Sequence, residues 1–183
     1  MSGAGAEVLQ RLLFGNQMTV AAPLVRRSLF DSVGMFDERL DRLEDWQLWL
    51  RCAIAGKRFL FVPSTHPVAL IRIHAASLSS RVVPMLVTEI SIRRGLEQSL
   101  PTRIARDLNR RRLDEVRAEV GKLLGLGGDA GRGLRYLVPA ALSHMRPAWF
   151  LWIFALLLAP IPGCRRLLLA IRTRRRRGTV AIE

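Results

Sequence analysis

Apolar residues recur along this chain at two spacings, and the spacing assigns most of its elements. Val8, Leu9, Leu12 and Leu13 fall on one face at helical period, which predicts a single short helix within Met1 to Gly15. Met18 to Ala22 reads as a short apolar strand, and Pro23 helps to open a helix carrying Arg26 to Val33. Glu44 and Asp45 start a second amphipathic helix, on which Trp46, Trp49, Leu50 and Ala53 share a face and which Gly56 ends. Phe59 to Val62 and Val68 to Ile73 are rich in β-branched or aromatic residues and read as strands. Beyond Ser80 the pattern turns helical, with helices over Val82 to Gln98 and Thr102 to Leu124 separated by Pro101.

Two later stretches break that pattern. Gly125 to Gly133 holds five glycines and is expected to be a flexible linker. It lacks the Lys-Ser/Thr of a phosphate-binding loop, and no strand precedes it. Pro147 to Cys164 is an uncharged run of 18 residues, slightly short of the about 20 apolar residues a transmembrane helix needs. Arg146 precedes it, while Arg165, Arg166 and Arg172 to Arg177 include the basic residues that follow. That layout fits a segment lying in or dipping into a membrane interface, with Trp149 and Trp152 at headgroup level; a true span and a buried core helix are the alternatives.

Charge sharpens the division. The chain of 183 residues carries a formal net charge of +14, with 27 arginines and two lysines (Lys57 and Lys122). From Gly131 onward there are ten arginines and one acid, Glu183, so this tail suits an anionic surface. Acid is concentrated elsewhere: Asp31, Asp37, Glu38, Asp41, Glu44 and Asp45 lie together against Arg39 and Arg42. An acid pair opening an amphipathic helix is a candidate for general-base chemistry. Cys52 and Cys164 form no metal or disulfide pattern, and Met1 to Gly15 lacks the basic lead and long apolar core of a signal peptide. A cytosol-facing protein is the natural expectation.

The acid segment also resembles a known family. Gly34-Met35-Phe36-Asp37-Glu38-Arg39-Leu40 followed by Glu44-Asp45-Trp46-Gln47-Leu48-Trp49-Leu50-Arg51 is similar to the acceptor-side half of inverting family 2 glycosyltransferases, which have the GT-A fold. Asn16 to Val20 and Val25 to Phe30 precede it, and Arg58 to Pro63 and Ile71 to Ser79 follow it, in that family's order. The similarity covers roughly residues 10–80. The family's Asp-x-Asp metal motif and its nucleotide-binding first half are absent, so the chain reads as starting in mid-domain, with a separate N-terminal half as a possible partner.

The resemblance implies roles for particular residues. Asp45 corresponds to the general base that deprotonates the acceptor hydroxyl, and Glu44 to a neighbour that orients the site; helix capping is the structural alternative for both. Asp37, Glu38 and Trp46 correspond to the acceptor pocket, against the alternatives of capping and salt bridges to Arg39 or Arg42 for the acids and core packing for Trp46. Arg72, Ser77 and Ser79 match the loop that closes over the donor diphosphate, where an arginine makes bidentate phosphate contacts. His74 matches a position able to join carboxylates around Mg2+ or Mn2+, a cation expected in the complete enzyme rather than on this chain alone.

The resulting expectation is an α/β fold: an incomplete, GT-A-like and Rossmann-like half-sheet over residues 1–80, a helical extension over 81–124, the linker at 125–133 and a membrane-associated helical tail over 134–183. The implied reaction moves a sugar from a nucleotide-diphospho-sugar to a saccharide or lipid-linked hydroxyl at the cytoplasmic side of the cell membrane. The competing expectation is a non-catalytic basic module on an anionic membrane. Nucleic acid is disfavoured because the aromatics are bunched in the apolar run rather than interleaved with the basic residues.

Overall fold

A computed structural model describes residues 1–66, 69–71 and 81–158. Among the described residues the molecule is mostly helical with one two-stranded sheet, and it divides into two compact units, Met1–Leu113 and Asp114–Glu183.

The first unit begins with strand β1 (Gly3–Ala4) and helix α1 (Gly5–Phe14). Short helix α2 (Ser28–Val33), helix α3 (Glu44–Ile54) and strand β2 (Arg58–Phe59) follow. Helix α4 (Val82–Leu96) leads through a 3-10 turn into α5 (Arg103–Leu126), which supplies residues to both units. The periodicity of α1 is realised in full: Val8, Leu9, Leu12 and Leu13 are all buried. They pack with Trp46, Leu48, Trp49, Leu50, Cys52 and Ala53 of α3 and with Ile92 and Leu96 of α4 in one core. The predicted glycine cap is equally literal. Lys57 N–H donates to the Cys52 carbonyl at 2.9 Å and Gly56 N–H to that of Ala53 at 3.0 Å, a Schellman closure that Gly56 permits with φ of 68°.

Among the described residues the expected half-sheet comes down to a single antiparallel pair, Gly3 opposite Phe59 and Ala4 opposite Arg58. Met18 to Ala22 forms no strand, and β2 stops at Phe59 instead of reaching Val62. A strand satisfies its backbone only through a neighbour, and among the described residues β2 finds one only in Gly3–Ala4. Residues 69–71 have no regular structure, and the rest of the expected strand at 68–73 lies outside the described residues. The helix expected after Pro23 is shorter than its pattern and begins at Ser28.

In the second unit, α5 packs with α6 (Ala130–His144) and α7 (Pro147–Leu158) around Ala118, Leu137, Ala140, Ala141, Trp149 and Leu156. The glycines expected to form a linker do the opposite. Gly125 lies within α5, Gly131 and Gly133 lie within α6, and only residues 127–129 separate the two helices. Asp129 caps α6 by accepting from Arg132 N–H at 3.0 Å. A Cβ on Gly121 would stand 2.7 Å from the Gly133 carbonyl oxygen, and one on Gly133 would stand 2.6 Å from that of Gly121. The two backbones touch because neither residue has a side chain.

This close approach makes a paired prediction. Gly133→Ala should destabilise the protein by roughly 1–3 kcal/mol through overpacking. Gly131→Ala, where an added Cβ meets nothing within 4 Å, should be neutral or raise stability by about 0.4–1 kcal/mol. Denaturant unfolding of both variants checks the pair, and equal stabilities would contradict the packed interface.

Candidate active site

Residues 43–45 form a tight entrance to α3. Leu43 has φ of 60° and ψ of 18°, the left-handed conformation that a non-glycine residue adopts at a cost. Its apolar side chain packs against the core of the first unit, which helps to hold the backbone in that conformation. Glu44 and Asp45 then occupy the first turn of the helix.

Asp45 is 8 % exposed, and both its oxygens are engaged. Oδ1 accepts from the Trp46 backbone N–H at 2.6 Å, and Oδ2 accepts from Asn16 Nδ2 at 3.0 Å. Asn16 is itself oriented, since its Oδ1 accepts from Met18 N–H at 3.2 Å. No role for Asn16 was expected. Its partner lies 29 residues away, and such a pairing leaves no periodic trace in sequence. Each carboxylate oxygen accepts up to two hydrogen bonds, so each retains a lone pair beyond the bond it makes. Asp45 is therefore fixed in place while keeping acceptor capacity, which is what a positioned base requires.

Trp46 belongs to the core and not to a pocket wall. It is 1 % exposed, and its indole N–H donates to the Leu12 carbonyl at 2.9 Å, satisfying a carbonyl at the end of α1. The guanidinium of fully buried Arg93 lies 5.0 Å from the ring centroid. The acceptor-stacking role is thus corrected: a ring closed off on this scale offers no face to a sugar. Arg93 also pairs with Glu89 at 2.6 Å, and Asn109 Nδ2 reaches the Arg93 carbonyl at 3.0 Å.

Asp37 and Glu38 follow the Gly34 turn. Arg39 grips Asp37 with Nε at 2.8 Å and Nη2 at 2.9 Å, and its backbone N–H adds a third bond at 3.1 Å. These hydrogen bonds, the side-chain ones foremost, lower the Asp37 pKa to about 2. Arg51 ties the turn to α3 by donating to the Val33 and Met35 carbonyls and, through Nε, to Gln47 Oε1 at 3.0 Å. Gly34 has φ of 79°, and a Cβ there would lie 3.1 Å from Arg51 Nη1. The glycine, the Asp-Glu pair and the distant arginine of the sequence motif thus form one turn. Glu38 is exposed and Glu44 half-buried, and neither makes a side-chain hydrogen bond or ion pair among the described residues. Cys52 is buried, and burial pushes its thiol pKa up, which suits packing and not nucleophilic attack.

Arg72, His74, Ser77 and Ser79 all lie outside the described residues. Among the described residues no group of three or more His, Cys, Asp or Glu is placed to hold a metal ion. Comparison with protein-family models, curated proteins and solved structures finds no match to this chain.

The Asp37 geometry carries a pH prediction. Its carboxyl titrates at about 2 in the folded protein against an ordinary 3.8. A depressed carboxylate stabilises the fold fully above the ordinary value and loses that contribution as pH falls toward the folded one. The Gly34–Arg39 turn should therefore loosen between pH of about 4 and about 2. Side-chain carboxyl NMR of the wild type and of Arg39→Gln checks it: the variant should return Asp37 toward its ordinary value, and an unmoved titration would contradict the ion-pair cause.

Proposed function

We propose that this chain is the acceptor-side part of an inverting glycosyltransferase with a GT-A-like fold. Asp45 takes the proton from an acceptor hydroxyl. The freed oxygen attacks the anomeric carbon of a nucleotide-diphospho-sugar from the face opposite the leaving group. The glycosidic C–O bond forms as the bond to the nucleoside diphosphate breaks, so configuration at that carbon inverts. The observation that carries this reading is the state of Asp45: nearly buried, held by Asn16 and the Trp46 amide, and still able to accept on both oxygens.

The other roles follow from the same reading. Glu44, half-buried beside Asp45, orients the acceptor, and exposed Glu38 offers a further hydroxyl acceptor. Asp37 shapes the turn through Arg39 and reaches the acceptor only indirectly. Arg72, Ser77 and Ser79 are assigned to the donor diphosphate on resemblance alone. His74 is assigned on the same ground to a site for Mg2+ or Mn2+ in the complete enzyme, and no step is routed through that ion. The sequence holds no Asp-x-Asp motif, so the nucleotide-sugar site is supplied elsewhere in the working assembly. The acceptor is a saccharide or lipid-linked hydroxyl, met at the cytoplasmic side of the cell membrane.

The test is turnover of the native assembly carrying Asp45→Asn, which keeps the shape and one acceptor oxygen, hence one of the two contacts to Trp46 N–H and Asn16, but removes the base. Loss of a positioned general base should lower kcat by about 10²–10⁴-fold with little change in KM. Asn16→Ala, which frees the carboxylate without removing it, should cost markedly less. Full turnover in Asp45→Asn would remove Asp45 from the role, and the non-catalytic module would become the better account.

A further inference from the structure

Helix α7 presents two opposed apolar faces, and packing explains one of them. Trp149 and Leu156 turn inward to the core shared with Leu137, Ala140 and Ala141, and Leu156 lies against Gly125. On the opposite side, Leu151 is 70 % exposed, Phe154 62 % and Leu157 59 %, and these residues recur every third position. Met145, just before α7, is 69 % exposed in a left-handed turn. From Pro147 to Leu158 there is no charged residue at all. A helix facing water carries polar residues on its outer side, and a contiguous exposed apolar surface marks something that binds there.

The surroundings decide what binds. Arg146 stands at the start of α7, 5.0 Å from the Trp149 ring and paired with Glu115 at 3.1 Å. Seven arginines follow in the sequence between positions 165 and 177, and no acid occurs from Gly131 until Glu183. An apolar face that follows Arg146 and precedes an arginine-rich stretch in the sequence complements an anionic headgroup layer over a hydrocarbon interior. Packing sets the depth. Trp149 and Leu156 hold one side of α7 in the protein core, so only its outer face is free to enter the bilayer. Among the described residues no helix is long and apolar enough to cross a membrane.

We infer that the outer face of α7, formed by Leu151, Phe154 and Leu157 with Met145 at its lead, docks on the surface of an anionic lipid bilayer. The helix lies in the plane of that surface, and the positive charge that follows it in sequence adds electrostatic attraction to anionic headgroups. The tryptophans are not the principal inserting residues, because Trp149 is committed to the core and Trp152 is half-buried. This surface is separate from Asp45, and it stands whether or not that residue acts as a base.

The test is vesicle co-sedimentation of the full chain. Wild type should bind phosphatidylcholine vesicles doped with phosphatidylglycerol, bind pure phosphatidylcholine weakly, and lose anionic binding as salt rises. The triple variant L151Q/F154Q/L157Q should lower partitioning at least about tenfold with an unchanged circular dichroism spectrum. Replacing Arg174 to Arg177 with glutamine should also weaken binding and flatten its salt dependence. Wild-type binding by the triple variant would overturn the proposal. So would a failure to bind anionic vesicles, whether the protein instead dimerises through this face or binds RNA in a salt-sensitive way.

Discussion

Trp46 joins three helices of the first unit, and the placement of Asp45 rests on that junction. Its indole N–H satisfies a carbonyl of α1, its ring lies against Arg93 of α4, and its own backbone N–H is the donor to Asp45. The ring fills the space between α1 and α3, where truncation to alanine removes about 3–5 kcal/mol in comparable cores. Arg93 is a buried charge, tolerable only because Glu89, Asn109 and the ring surround it. Truncating Trp46 would therefore remove one of two donors to the Leu12 carbonyl, the other being Gly15 N–H at 3.1 Å, and uncover the Arg93 guanidinium on the side the ring occupies.

Features carried by local periodicity were legible from the sequence. The buried face of α1, the buried face of α3 and the glycine closure after it all appear where the pattern puts them, because each depends on neighbours three or four residues away. Strands were not legible in the same way. The Met18 to Ala22 run has strand composition but no adjacent strand, whereas Gly3–Ala4 has little strand character and pairs with β2. Asn16 and Arg51 were missed for a related reason: their partners Asp45 and Val33 are distant in sequence, and their residue types are ordinary on a solvated surface.

Glycine misled for a different physical reason. Freedom of the backbone and absence of a side chain are one chemical fact with two uses. The run from Gly125 to Gly133 was read for its freedom, while the fold also exploits the absence, letting Gly121 and Gly133 bring α5 and α6 into backbone contact. Arginine shows a comparable duality. Arg93 and Arg51 organise the interior and the Gly34 turn, while Arg39 holds Asp37 at the surface. A large net charge thus conceals arginines spent on structure, while the stretch from Gly131 onward carries ten arginines against one acid.

The acid segment unites these threads, because the turn that Gly34 and Arg51 build leads directly into the strained Leu43 and the fixed Asp45. A single carboxylate acting as base, with direct attack of the acceptor oxygen, permits only one stereochemical outcome. The most direct measurement of the proposed reaction is the anomeric configuration of the glycoside formed by the native assembly, read by proton NMR. Inversion relative to the donor sugar is the predicted result. Retention of configuration, or donor consumption with no acceptor-dependent glycoside, would contradict the account.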